Sequence, residues 1–325
     1  MNPCLLGLWA AIAAAAPPSS PSVATAYPEK PIRVVVPYPA GGTADAVPRI
    51  IAEKLRAKWG QPVIVDNRPG AGGNLGAAEV ARAEPDGYTL MSTPPGPLAI
   101  NGSLYKSLSY DPRKFVPVSV VASMPNVLAV RTTLPATSVR ELIAMAKANP
   151  GKLTYASQGS GSTSHLTAHM FQQMAGVTLI HVPYKGTAPA LTDLVGGRVD
   201  MFFDNISSSL SQYRAGRIKV LAVATSSRVA SLREVPTMAE SGVRGFQSGT
   251  WMAFAAPPNT PAPIATAISR AIEEWPPMFG NALLASAAMD RLLHHAHLLV
   301  IDGDSYRNPP PKRRKVPIAH AEAPR

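Results

Sequence analysis

Arg33-Val34-Val35-Val36-Pro37-Tyr38-Pro39-Ala40-Gly41-Gly42-Thr43-Ala44-Asp45 reads as a buried strand, a Pro/Gly turn and the start of a helix. Ile32 to Val36 are nearly all β-branched, as in a short strand covered on both faces. Pro39 and the Gly41-Gly42 pair end it, because proline lacks an N–H and glycine accepts positive φ. Thr43 is placed to cap the next segment, where Val47, Ile50, Ile51 and Leu55 recur at helical spacing and Gly60 supplies a stop. Such a turn aims backbone N–H groups, at the positive end of a helix dipole, at whatever lies above the strand. An anion fits that place, although a βα turn without any ligand has the same pattern.

Outward from this unit the alternation continues. Pro62 to Val65 is a second strand, followed by the loop Asn67 to Asn74 and a helix from Leu75 to Ala83. The glycines of that loop have the spacing G-x-G-G-x-x-G and follow the second strand, which argues against a dinucleotide site. Asp86-Gly87 turns into a strand over Tyr88 to Met91, then come a helix-like segment from Leu98 to Leu108 and a long extended region from Val116 to Val130. A second series begins with a helix over Ser138 to Ala148 and a strand over Leu153 to Ala156. The next helix is expected to turn Leu166, Met170, Phe171 and Met174 to one side. Strands follow at Thr178–Val182, Val199–Phe203 and Lys219–Ala224, with helices starting near Thr187 and Ser207. Strict strand–helix alternation predicts parallel sheets covered on both faces, with ligands off the carboxyl ends of the strands. Those ends carry Ala40 to Thr43 in one half and Ser157 to Ser164, Tyr184 to Gly186 and Asp204 in the other, so two facing edges would make a cleft. The two crossings between the halves are expected near Val127 to Arg131 and near Thr225.

At 325 residues the chain is long enough for two domains. Leu5 to Ala16 is apolar but too short to span a bilayer, and Ala24-Thr25-Ala26 follows it, the pattern of a signal peptide over residues 1–26. Its n-region lacks the usual Lys or Arg. The single cysteine, Cys4, lies in that leader, so a mature chain has no disulfide, no cysteine-ligated metal and no thiol nucleophile. The net charge of +11 does not form a nucleic-acid surface: +3 belongs to the stretch from Pro276 onward and the remaining +8 is scattered. A mildly cationic surface suits capture of anionic solutes.

Six motifs in a fixed order then carry a resemblance: Tyr27 to Ile32, Pro37 to Asp45, Asn67 to Asn74, Asp86 to Leu90, His181 to Gly186 and Val235-Pro236-Thr237. Together they resemble the Bug family, the TctC-like solute-binding receptors of tripartite tricarboxylate transporters, over about Tyr27 to Trp275. The resemblance implies an α/β fold of two Rossmann-like domains with an interdomain cleft, periplasmic binding protein type II-like. It implies a first domain over 27–127 continued by 225–275, and a second over 128–224. It further implies a periplasmic, monomeric receptor that takes a small carboxylate to a membrane permease, with no cofactor, no metal and no catalysis.

By that resemblance the ligand-binding positions are Ala40, Gly41, Gly42, Thr43 and Asp45 in the first turn. In the second domain they are Ser157, Gly159, Ser160, Ser162, Thr163 and His165, with Asp204 on a further loop. The residue chemistry agrees: Ser160, Ser162 and Thr163 supply hydroxyl and N–H donors at a helix N-terminus. His165 is expected to be neutral, biased by the helix dipole, or else a plain capping residue. Asp45 would repel an anion, so it orients a water, accepts from a ligand hydroxyl or ammonium, or holds the turn. Tyr184 and Lys185 are candidates for a hydroxyl and a steering charge.

Two features depart from the family pattern. Pro48 stands inside the first helix, where it removes a hydrogen bond and can kink the segment. From Pro276 to the C-terminus the chain becomes atypical, with Leu292-Leu293-His294-His295 and Pro309-Pro310-Pro311-Lys312, the kind of change a reading-frame shift produces. Two other functions remain to compare with transport: a ligand-sensing partner of a membrane signalling protein, and a hydrolase using Ser160 or Ser162 with His165 or His169. The serines lack a G-x-S-x-G elbow, and the His165/His169 pair lacks the Glu of H-E-x-x-H.

Overall fold

The strand at the head of the quoted stretch, β1 (Ile32–Val36), lies between two parallel neighbours, β2 (Val63–Asn67) and β3 (Thr89–Thr93). This arrangement comes from a computed structural model, which describes residues 27–273. The expected leader over 1–26 and the atypical tail over 276–325 lie outside the described residues. Helix α1 (Thr43–Trp59) follows β1, and α2 (Asn74–Ala81) follows β2. Val47, Ile51 and Leu55, one helical face, pack on Ile32, Val34 and Leu90 of the sheet. Helix α1 runs through Pro48 over 17 residues without a break, and Gly60 closes it in the left-handed conformation.

After the short helix α3 (Asn101–Leu104) the chain enters β4 (Val116–Arg131), a strand of 16 residues that belongs to both halves of the molecule. From Val116 to Pro125 it pairs antiparallel with β9 (Gly249–Ala256), which in turn pairs antiparallel with β3. From Asn126 onward it pairs antiparallel with β7 (Met201–Asn205) on one side and, from Val127, with β8 (Ile218–Val223) on the other. The second sheet is completed by β5 (Thr154–Ser157), parallel to β7, and β6 (Ile180–Pro183), parallel to β5. Its helices are α4 (Val139–Ala148), α5 (Thr163–Ala175), α6 (Thr187–Val195) and α7 (Ile206–Arg214); α8 (Ala262–Glu273) returns to pack Ile268 and Ile272 in the first core.

The expectation of parallel sheets is therefore corrected. The βα units are parallel among themselves, but the two strands that cross between the lobes, β4 and β9, run antiparallel to each other and to their neighbours. Strand β9 was not legible beforehand, because Trp251-Met252-Ala253-Phe254-Ala255-Ala256 is an apolar run without alternation, which suits a buried helix equally well. The expected helix from Leu98 to Leu108 is a π-type turn at Gly96–Ile100 and then four residues of α3, with Tyr105 already extended.

The return crossing also differs from the expectation at Thr225. Phe171, Phe203 and Phe246 form a ring cluster with centroids 5.5–6.3 Å apart. Met238 and Val243 lie in the same buried core. Burying side chains of this size is worth roughly 1.5–3 kcal/mol each, so the segment up to Phe246 is held on the second lobe. The chain crosses back at Ser248 and Gly249: Ser248 N–H donates to Ala224 O at 2.9 Å, Asn126 N–H donates to Ser248 O at 3.1 Å, and Gly249 is paired with Pro125. By its contacts, the part of 225–275 before Ser248 belongs with 128–224.

The inward face of helix α5 overlaps the expected one at Phe171 and Met170 but is rotated toward smaller, polar residues. It buries Ser164, Thr167, Ala168 and Phe171, while Met174 is 44% exposed. The inward polar residues have partners at the crossing: Asn126 Nδ2 donates to Thr167 Oγ1 and to Ser248 Oγ, both at 2.9 Å, and the two hydroxyls bond each other.

Candidate functional site: an interlobe cleft

Gly41, at φ +91°, makes the turn between β1 and α1, a conformation with little steric penalty only for glycine. Its N–H donates to Asp45 Oδ2 at 3.1 Å. Asp45 Oδ1 accepts from Arg49 Nε at 2.9 Å and Asn67 Nδ2 at 3.0 Å. Burial pushes the Asp45 carboxyl up, but Arg49, the Gly41 N–H and Asn67 outweigh it and hold the group below its ordinary range. Of the roles open to Asp45, holding the turn is the one its contacts fill. The Gly41 N–H is thereby committed, and the donors at this end are the first N–H groups of α1, which have no intrahelical acceptor.

Thr43 does not cap α1. The cap is Gly42, extended at φ −106° and ψ 178°, without a side-chain bond. The Thr43 hydroxyl instead meets Ser207 Oγ of the second lobe at 3.0 Å. The opposite lobe repeats the device: Gly186 caps α6, and Thr187 Oγ1 accepts from Gln158 Nε2 at 2.9 Å. Between these two turns lies a cavity of about 30 Å³. The first lobe lines it with Tyr38, Pro39, Gly42, Ala44 and Pro94, the second with Gln158, Gly186, Thr187 and Asn205, and β9 with Thr250 and Met252. None of these is Lys or Arg, so the positive end of α1 and its N–H groups carry the attraction for an anion.

Asp204 is fully buried at the end of β7, where Oδ2 accepts from Ser208 Oγ at 2.6 Å and Ser209 Oγ at 2.7 Å. Its Oδ1 accepts from Gln158 Nε2 at 3.3 Å. Burial raises its pKa to about 6 against the donors that favour the carboxylate. It stands one side chain behind the cavity rather than in it.

Ser162, Thr163 and His165 are drawn into the loop's own structure. Ser162 caps α5, and its hydroxyl donates to Gly159 O at 2.6 Å. The Gly161 N–H donates to His165 Nδ1 at 3.1 Å, and Thr163 O accepts from Thr167. His165 stacks on His181 with centroids 4.2 Å apart, and Tyr155 stacks with both, at 4.8 Å from His181 and 6.4 Å from His165. His165 is pushed toward neutrality, by burial first and by nearby His169 second. Ser160 and Lys185 are exposed. Tyr184 donates its hydroxyl to Asp193 at 2.8 Å on α6.

The serine–histidine contact that the fold does make is a different one, Ser157 Oγ to His181 Nε2 at 2.6 Å. Ser157 is fully buried and also takes the Gly159 N–H, so no substrate reaches it. Gln158, Thr187 and Thr250 were missed as candidates, while Asn205 belongs to the Asp204-Asn205 loop that the family resemblance pointed to. Gln158 lies inside the quoted Ser157–Ser164 loop, and its position one residue past a strand end was the available signal. Nothing local marks Thr250. Among the described residues there is no group of three or more His, Cys, Asp or Glu suited to a metal, and no helix long and apolar enough to cross a membrane.

Two α/β lobes joined by two crossing strands over a cleft define an α/β periplasmic-binding-protein fold, and its class is a solute receptor. A family model described as "Tripartite tricarboxylate transporter family receptor" (TctC) matches residues 47–296. The chain belongs to this family, whose members are binding proteins and not catalysts. It is 41% identical over 251 residues to a "UPF0065 protein in tcbD-tcbE intergenic region" of Pseudomonas sp. (strain P51), covering 77% of this chain and 74% of that one. It is 39% identical over 272 residues to protein BugT of Bordetella pertussis, covering 83% and 82%. Among solved structures, R. palustris Rpa4515 with adipate superposes with a TM-score of 0.74 at 42% identity, over 76% of this chain and 83% of that one. MatC from Rhodopseudomonas palustris with bound malate gives 0.73 at 35%, over 76% and 85%. A 39-residue stretch is also 49% identical to 15% of an "Insertion sequence IS21 putative ATP-binding protein" of Pseudomonas aeruginosa, a match too short to bear on this fold.

Proposed function

We propose that this chain is a periplasmic receptor, exported by its leader, that captures a small carboxylate between its lobes and delivers it to the membrane permease of a tripartite tricarboxylate transporter. The observation that carries this reading is the position of the α1 N-terminus, with Gly42 and Ala44, on one wall of the interlobe cavity opposite Gln158, Thr187 and Asn205. A carboxylate there accepts from main-chain N–H groups and lies on the axis of a 17-residue helix dipole. Relatives with adipate and with malate supply the ligand class. Capture by a cleft this narrow requires the lobes to part and close again.

The test is a thermal-shift screen of the mature protein against short mono-, di- and tricarboxylates, followed by calorimetry. At least one carboxylate is expected to raise the melting temperature in a concentration-dependent way. A flat response across the panel would refute the reading.

A further inference from the structure

The two walls of the cleft make opposite chemical demands. The α1 wall offers N–H donors. Opposite it, Gln158 has committed both amide hydrogens: Nε2 donates to Thr187 Oγ1 at 2.9 Å and to Asp204 Oδ1 at 3.3 Å. An ionised carboxylate only accepts, and Asp204 is locked in place by Ser208 and Ser209, so the amide nitrogen of Gln158 has to face it. That orientation leaves Oε1 as the group this cleft-lining side chain has to offer, an acceptor backed by a buried anion. On the floor, Thr250 is 3% exposed, and its Oγ1 has no protein partner. A buried hydroxyl in that condition is destabilising unless something in the cavity bonds it. The second carboxylate of a plain dicarboxylate can accept from the Thr250 hydroxyl, but it brings charge toward Gln158 Oε1 and supplies that acceptor no hydrogen.

We infer that the ligand is a short carboxylate carrying a hydroxyl or ammonium group, whose hydrogen is accepted by Gln158 Oε1, with Thr250 Oγ1 as its second partner. Asp204 is a positioning residue: it fixes which end of Gln158 the ligand meets. This inference rests on the carboxylate reading above and narrows it from carboxylates in general to hydroxy- and amino-carboxylates.

Calorimetry with four probes separates the two ideas: malate and aspartate, which carry the donor, and succinate and adipate, which do not. Malate or aspartate is expected to bind at least about tenfold tighter than succinate, since a site built around a ligand hydrogen-bonding group rejects analogues lacking it. In Gln158→Leu the preference should collapse to within about twofold. Succinate or adipate binding as tightly as malate and aspartate to the wild-type protein overturns the inference, and that comparison needs no variant to fold. So does an unchanged ratio in Gln158→Leu. If none of the four binds, this inference fails, and the carboxylate reading falls with it only when the whole mono-, di- and tricarboxylate panel is also silent.

Discussion

Thr43 of α1 and Ser207 of α7 share a hydrogen bond of 3.0 Å, joining the first turns of two helices that belong to different lobes. Ser207 also donates to Met124 Sδ at 3.4 Å, on the crossing strand β4. The contact closes the cleft at the same helix end that presents its N–H groups to the cavity. A single neutral hydroxyl pair is worth about 0.5–1.5 kcal/mol. Thr43→Val, which keeps the shape and removes the hydroxyl, should therefore weaken ligand binding by roughly two- to tenfold. Small-angle scattering of the free variant should give a larger radius of gyration than wild type, and an unchanged profile with unchanged affinity would refute the latch.

Gly42 is needed for approach rather than for backbone freedom. Its φ of −106° suits any residue, but an added Cβ would lie 3.3 Å from both Cβ and Oγ1 of Thr187 across the cleft. Gly42→Val should hold the lobes apart and abolish measurable binding, while the unfolding midpoint moves little, since each lobe keeps its core. Binding within threefold of wild type, measured by calorimetry, would show that the wall can move aside.

Asp45 should behave as a structural acid. Asp45→Ala leaves the Gly41 N–H, Asn67 and Arg49 without their shared acceptor, which is expected to destabilise the first lobe by about 1–3 kcal/mol. Its carboxyl is held below its ordinary value of 3.8, so its stabilisation is present above that pH and lost as pH falls through the folded value. Urea unfolding of wild type and variant at neutral pH, and again in acid, should show the difference shrinking at low pH.

Two groups near the second-lobe loop oppose each other in acid. Burial, with the charge of His165 second, lowers His181 from 6.5 to about 4. Between those values the unfolded chain binds a proton that the folded one does not, so stability falls as pH falls. Asp204 is raised from 3.8 to about 6, chiefly by burial, so across that interval the folded state holds the extra proton and gains stability as pH falls. Asp204→Asn should therefore steepen the loss of stability between pH 6 and pH 4, and His181→Gln should flatten it. Denaturant midpoints at half-unit pH steps measure both slopes, and parallel curves for the three proteins would contradict the assignment.

The crossing at Ser248 and Gly249 gives a fifth point of attack. A Cβ on Gly249 would sit 2.8 Å from Met124 O, a backbone atom of the neighbouring strand. Gly249→Ala should force β9 away from β4 and destabilise the protein by roughly 1–3 kcal/mol, the usual range for overpacking. Hydrogen exchange should rise first at Met124 to Val127, and uniform exchange across β4 would mean the crossing absorbs the methyl group.

Local chemistry was enough to determine the strand–turn–helix unit at Ile32 to Trp59, its αL stop at Gly60, the paired series of βα units and the anion-friendly end of α1. Each depends on spacing, on proline and glycine, or on apolar periodicity within a dozen residues, and the six ordered motifs pointed to the family. The mixed sheets, the crossing at Ser248 and the membership of the cleft were decided only by tertiary structure. Thr43 and Thr187 show why: each has the right type and place for an N-cap, yet each gives its hydroxyl to a partner far along the chain, Ser207 and Gln158. A hydroxyl bonds whichever group arrives within about 3 Å in the right direction. When that group comes from the other lobe, 164 residues away as with Thr43 and Ser207, no local pattern records the choice.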